Sequence, residues 1–259
     1  MRIAVASLGL ALIAGCGLPR DAALADWTRS ASVVVDQPRL APPPEGGVRA
    51  MQEALAVYLF ALGVLAEEGR LTFHEAAYEP LASRTAAVDP AAAAAIGQLG
   101  ALLLRDSLSN PPSPSASDGT ASDGGAVVPE DTRLRATLRG ADAPVQTLIA
   151  ALSAAVARGE PAASPDGFLA QHMAAEPVLR QRELLDARAA AARAAARSGY
   201  LEVLAQIGEG HALLHARARH VTQRETSGLI RLAEERLLRA AARLPRNGAP
   251  GVVAAVLRP

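Results

Sequence analysis

The sequence contains no lysine, a single cysteine and very few aromatic residues. All 26 basic residues are therefore arginine, and 26 acidic residues balance them to a formal net charge of zero. A neutral chain is not a generally basic nucleic-acid-binding protein. One cysteine excludes a disulfide scaffold and a multi-cysteine metal site. An aromatic content of 3% disfavours a β-sandwich or barrel, because such sheets pack aromatic and β-branched side chains on their pleated faces.

Alanine is the abundant residue. It occupies 60 of the 259 positions, and it has the highest intrinsic helix propensity of all residues. The length is sufficient for one or two domains with a hydrophobic core. We therefore expect an all-α protein.

The N-terminus carries the most specific pattern in the chain. Arg2 and the terminal amine precede an apolar run from Ile3 to Ala14, which is shorter than the roughly 20 residues needed to span a bilayer and is typical of a signal peptide. The run ends in Leu12-Ile13-Ala14-Gly15-Cys16. This ending resembles the lipobox of bacterial lipoproteins, with Ile13 in place of the commoner leucine.

The resemblance implies a chemistry for Cys16 and a location for the protein. It implies a diacylglyceryl thioether on Cys16, cleavage after Gly15 and a fatty acyl chain such as palmitate on the new amine. Several acyl chains together give stable membrane anchoring. By the same resemblance, Gly17 rather than aspartate after the cysteine favours the periplasmic side of the outer membrane over the inner membrane, if the organism has two membranes. The alternative is an ordinary secretory signal peptide with an unmodified Cys16.

The mature chain divides by composition into helical blocks and turn-rich segments. Its expected architecture is an antiparallel multi-helix bundle with a disordered N-terminal tether and a long internal linker. The expected segments are a signal peptide at 1–15, a lipid-anchored tether with a short docked part at 16–46, a first helical segment at 47–108, a disordered linker at 109–130, a second helical segment at 131–246 in the same bundle, and a tail at 247–259.

Caps and periodicity predict where the helices begin and end. Gly69 is expected to end one helix, and Asp89 is expected to cap another. Asp142-Ala143-Pro144 is interpreted as the start of a new helix, because proline is favoured at the first helical position. The predicted helices are 48–69, 72–87, one beginning at Pro90, 130–139, 144–158, a short one ending at Glu176, and a long one from 177 that is kinked near Gly208 and Gly210 and continues to Leu244.

Two histidines are the first candidate site. At 100° per residue, His211 falls on the apolar stripe that begins at Tyr200, and His215 lies at its edge. Imidazoles at i and i+4 can share a metal ion, but such a site needs a third ligand. Further candidate ligands are Glu209, His172, His74 and Glu75.

Two interpretations of the histidines remain. The bundle interior could bind an apolar ligand or a metal near Tyr200, His211 and His215. In the interpretation that we prefer, one histidine is buried with a hydrogen-bond partner, the other is near the surface, and no cofactor is bound.

Enzyme motifs are scarce. The chain has no Gly-x-Ser-x-Gly elbow, P-loop or dinucleotide-binding glycine motif. Glu225-Thr226-Ser227-Gly228 resembles the glutamate motif of lysozyme-like transglycosylases, although the downstream pattern is missing and helix capping explains these residues as well. Cell-wall cleavage is therefore the least favoured of our functional hypotheses.

Charge is unevenly distributed along the chain. Residues 180–259 hold 14 arginines and 7 acids, a net +7, whereas residues 16–179 hold 11 arginines and 19 acids, a net −8. Arg236, Arg239, Arg243 and Arg246 follow steps of three and four, which places them on one helix face. This face is either simply solvated and balanced by the acidic half, or it binds carboxylates or phosphates.

These observations favour a lipid-anchored scaffold or adaptor. Its expected partners are the membrane, through lipid on Cys16, and an envelope protein or cell-wall component. Nucleic acid is not expected in that compartment. The binding module described above is the alternative.

Overall fold

A computed structural model describes residues 22–36, 46–69, 71, 77–108, 129–158 and 177–244. These ranges form helices and turns and contain no strand. The all-α, multi-helix fold predicted from the sequence is confirmed. The helices are α1 (Ala22–Val35), α2 (Gly46–Glu68), α3 (Glu79–Ala86), α4 (Pro90–Leu108), α5 (Pro129–Arg158), α6 (Pro177–Ala216) and α7 (Arg224–Ala242), with a 3-10 turn at Ala218–His220 between the last two.

Each described helix packs against the next one along the chain. The ring is closed where α7 packs on α1, and α2 also reaches across to α5. By length and composition, α2 and the stretch Thr132–Arg158 could each cross a membrane. In α2, however, 72% of the apolar window is buried inside the bundle. This burial is that of a core helix.

The structure corrects the expected tether at residues 16–46. Ala22–Val35 form a full helix, α1, which packs against α2 and α7. Leu24, Trp27 and Ala31 are buried and recur at helical spacing, so one face of α1 belongs to the hydrophobic core. The run of β-branched valines at the end of α1 disguised this periodicity in the sequence.

Helix α5 runs without interruption through Pro144, so the predicted break between residues 139 and 144 is wrong. A proline inside a helix removes one backbone hydrogen bond and costs about 3 kcal/mol. On both sides of the proline, Leu138, Ala141 and Val145 are buried in one continuous stripe. Packing against the neighbouring helices thus outweighs the local cost of Pro144.

Helix α6 also continues through Gly208 and Gly210, where the sequence predicted a kink. A Cβ atom on Gly210 would lie 2.4 Å from Cζ2 of Trp27, and one on Gly208 would lie 3.3 Å from Oε1 of Gln146. The glycines therefore allow α1 and α5 to approach α6 closely. The actual break comes later, between Ala216 and Arg224.

Two predicted helix ends are confirmed. Gly69 has a φ of 63° and donates its N–H to the carbonyl of Leu65 at 3.0 Å, which ends α2. Asp89 accepts the N–H of Ala92 at 2.9 Å and so caps α4. Of the predicted helix at 72–87, the structure describes α3 only.

Several predictions lie outside the described residues. They concern the signal peptide, Cys16, the linker at 109–128, the short helix before Pro177, and the tail with Arg246.

Candidate functional site

A chain of hydrogen bonds joins three helices in the middle of the bundle. His211 of α6 is fully buried, and its Nε2 lies 2.9 Å from the hydroxyl of Tyr58 on α2. Its Nδ1 lies 3.0 Å from Oδ1 of Asp142 on α5. We call these three residues the Tyr–His–Asp chain.

The charge state of Asp142 fixes the direction of its hydrogen bond with His211. The hydrogen bond from His211 holds the pKa of Asp142 below its usual value, so the carboxylate is ionised at neutral pH and only accepts. Nδ1 of His211 therefore carries a proton. Burial raises the pKa of Tyr58 far above its usual value, so the phenol keeps its proton, and its hydroxyl pairs with Nε2 of His211.

His215 lies one turn further along α6, beside the same carboxylate. Its Nδ1 is 3.7 Å from Oδ2 of Asp142, and 44% of its side chain is exposed. This separation is too long for a hydrogen bond. Asp142 thus lies between a buried histidine, His211, and an exposed one, as the preferred interpretation of the two histidines predicted.

Tyr200 belongs to a different group of polar residues. Its hydroxyl donates to the backbone carbonyl of Val35 at 2.9 Å and accepts from Nε2 of Gln52 at 2.9 Å. Tyr200 lies eleven residues before His211 on α6, which is about 16 Å along a helix axis. The sequence grouped Tyr200 with the two histidines because they share a helix face, but the structure separates them along that face.

Both ring nitrogens of His211 already have a partner. Within the part of the chain that the structure describes, no three or more His, Cys, Asp or Glu side chains are grouped so that they could hold a metal ion. Three of the additional candidate ligands, His74, Glu75 and His172, lie outside the described ranges.

Sequence reasoning missed both partners of His211. Asp142 was interpreted as a helix cap because Pro144 follows it, whereas it lies inside α5. Tyr58 was not singled out in the sequence. An inward-facing histidine does require hydrogen-bond partners, and this requirement was the available signal.

The arginine face is the second candidate site. Arg236, Arg239 and Arg243 are exposed on the outer side of α7, whereas Ile230, Leu237 and Leu244 are buried on the inner side. Leu232, at 40% exposure, lies among the arginines on the same side. We call Arg236, Arg239 and Arg243 the arginine face.

Glu225 lies in the first turn of α7, on the protein surface. Its side chain is 74% exposed, and Oε1 lies 3.9 Å from Nη2 of Arg217. A general acid in a glycosidase needs an environment that raises its pKa, such as an apolar pocket. The exposed position of Glu225 does not provide one.

Comparison with known proteins adds no assignment: no protein-family model, curated protein or solved structure matches the chain. The class that fold and site define is therefore an all-α bundle with a buried Tyr–His–Asp chain and an exposed arginine face.

Proposed function

We propose that this chain is an outer-membrane-anchored periplasmic lipoprotein that serves as an envelope scaffold or adaptor. In this proposal, lipid on Cys16 holds the bundle at the membrane, and the arginine face binds an acidic envelope component. The resemblance of residues 12–16 to a lipobox supports the anchor.

The arginine face is the main support for the proposed binding of an acidic partner. Arg236, Arg239 and Arg243 project from successive turns and span about 10 Å along the helix axis. A guanidinium group binds carboxylate or phosphate bidentately. Three such groups in a row favour a partner with several acidic groups at similar spacing, since linked contacts reinforce each other.

The interior of the bundle supports a surface role. Tyr58, His211 and Asp142 satisfy one another, and Tyr200 is satisfied by Gln52 and a backbone carbonyl. Tyr58 is completely buried, so a substrate could not reach its hydroxyl. Binding through helix surfaces therefore fits this molecule better than chemistry in its interior.

The position of α1 places the bundle close to the proposed anchor. Only residues 17–21 separate Cys16 from α1, and such a segment spans at most about 20 Å. Because α1 packs against α7, the helix that bears the arginine face would also be held close to the membrane surface.

Photo-crosslinking in intact cells tests the proposal. A crosslinking amino acid at Leu232 should trap one acidic partner, and replacement of the three arginines of the face by glutamine should abolish the adduct. The matched control replaces Arg105, Arg139 and Arg158, which lie outside this face, with the same change in charge. Equal crosslinking in both triple variants, or an adduct with phospholipid alone, would contradict the adaptor role.

A further inference from the structure

The first half of α6 projects from the bundle. From residue 181 to 195, every described side chain is exposed or only partly buried. Leu184 and Leu185 are 60% and 56% exposed, respectively, and are among the most exposed large apolar side chains of the described residues. The end of α7 marks where the projection begins, because a Cβ atom on Gly199 would lie 3.1 Å from Cδ2 of Leu244.

One face of this projection has the pattern of a helix-pairing seam. Leu185, Ala189, Ala192 and Ala196 follow steps of four, three and four, the spacing of a and d positions in a coiled coil. Ala196 is already buried, at the edge of the bundle. From residue 196 onward, this face of α6 packs against the bundle. Before residue 196, the same face is not covered by the described part of the chain.

Charges beside the seam indicate what would cover it. Asp186 and Arg193 follow Leu185 and Ala192 by one residue, so both lie along the same edge of the seam. They are seven residues apart, too far to pair within one helix. Neither has an ion-pair partner within the described part of the chain.

We infer that the projecting half of α6 pairs with the same segment of a second copy of this chain, in antiparallel orientation. When Ala189 of one copy faces Ala192 of the other, Leu185 reaches the edge of the partner's bundle beside the buried Ala196, and Asp186 comes opposite Arg193 at both ends. The alanines permit close approach of the two helices. A parallel pair would instead place Arg193 against Arg188, which is repulsive, and Asp186 against the uncharged Gln181.

The tail at 245–259 could also cover this face, because it follows Leu244, which lies beside Gly199. It contains Arg246 and Arg258 but no acidic side chain. It therefore has no side chain that could pair with Arg193, whereas a second copy supplies Asp186.

Charge reversal and restoration test the inference on the full chain purified in detergent. We expect native mass spectrometry over a range of concentrations to show a dimer for the wild type. Asp186→Arg alone and Arg193→Asp alone should each raise the dimer dissociation constant about tenfold, because each turns two attractive pairs into repulsive ones. The double variant should return to within about threefold of the wild type.

Matched controls separate dimerisation from folding and from surface charge. Asp26→Arg and Arg231→Asp make the same charge changes on α1 and α7 and should leave the dissociation constant unchanged. Circular dichroism should show equal helix content in all variants. A wild-type chain that is monomeric at every concentration, or a double variant as weak as the single ones, would overturn the inference. The first result would favour the tail, and the second another register.

Discussion

At the scale of single residues, the Tyr–His–Asp chain links three helices through two hydrogen bonds. His211 bridges Tyr58 on α2 and Asp142 on α5 through its two ring nitrogens. A buried polar group is costly when it loses its partner, and the loss exceeds the net value of the hydrogen bond itself. We therefore expect the loss of one member of the Tyr–His–Asp chain to lower the free energy of unfolding by more than the net value of one hydrogen bond.

Replacement of Tyr58 by phenylalanine tests this expectation. The variant keeps the ring and its packing but leaves Nε2 of buried His211 without its hydrogen-bond partner. We expect the free energy of unfolding to fall by about 1–3 kcal/mol, measured by urea denaturation. Ser227→Ala, which removes an exposed hydroxyl bonded to Gln223, is the control and should change it by less than about 0.5 kcal/mol. An equal effect of the two substitutions would show that the Tyr–His–Asp chain does not stabilise the fold.

Asp142 makes the stability depend on acid. Its pKa is lowered in the folded state by the hydrogen bond from His211, so the unfolded chain binds the proton more readily. The carboxylate therefore stabilises the fold above the unfolded pKa of about 3.9, and this contribution is lost as the pH falls through the folded pKa.

Asp142→Asn should remove this dependence. We expect the variant to be less stable than the wild type at pH 6, and the difference in unfolding free energy to shrink as the pH is lowered from 5 to 3. Urea denaturation at a series of pH values measures it. A difference that stays constant across that range would show that the ionised carboxylate has no such role.

The inward direction of His211 could be predicted from the sequence because one helix face obeys a simple angular rule. Its partners could not, since Asp142 and Tyr58 lie on other helices, and periodicity within a helix carries no information about which residues meet across helices.

At the scale of elements, contacts between helices determine where a helix continues and where it ends. The interior glycines of α6 resemble helix breakers in the sequence, yet Gly210 is where the ring of Trp27 from α1 rests. Pro144 likewise resembles a helix start but lies inside α5. Local propensity could predict that helices exist, whereas packing determined that both helices continue. By contrast, Gly69 and Asp89 were predictable because their signals are local backbone effects.

Gly210→Ala and Gly228→Ala form a matched pair for this claim. An alanine Cβ at 210 would overlap the rigid indole of Trp27, so the unfolding free energy should fall by about 1–3 kcal/mol. Nothing lies within 4 Å of a Cβ at 228, so that substitution should stabilise α7 by up to about 1 kcal/mol. Thermal denaturation measures both. A Gly210→Ala variant as stable as the wild type would show that α1 does not rest on α6.

At the scale of the whole molecule, the account joins an N-terminal anchor to a bundle that presents an arginine face. Composition was sufficient to predict the all-α class, because alanine is abundant and β-forming aromatics are few. It was not sufficient to place α1, which was predicted as part of a tether and instead contributes Leu24 and Trp27 to the core. Because α1 begins six residues after Cys16, lipid on Cys16 would hold the bundle close to the membrane.

The intact mass of the protein purified from membranes, measured under native and then denaturing conditions, tests the central claim most directly. The account predicts a chain of residues 16–259 that carries a diacylglyceryl group and an additional acyl chain, and it predicts no release of a metal or ligand on denaturation. An unmodified chain in the soluble fraction would contradict the lipid anchor. Release of a stoichiometric ligand would contradict a purely adaptor role and favour the binding module.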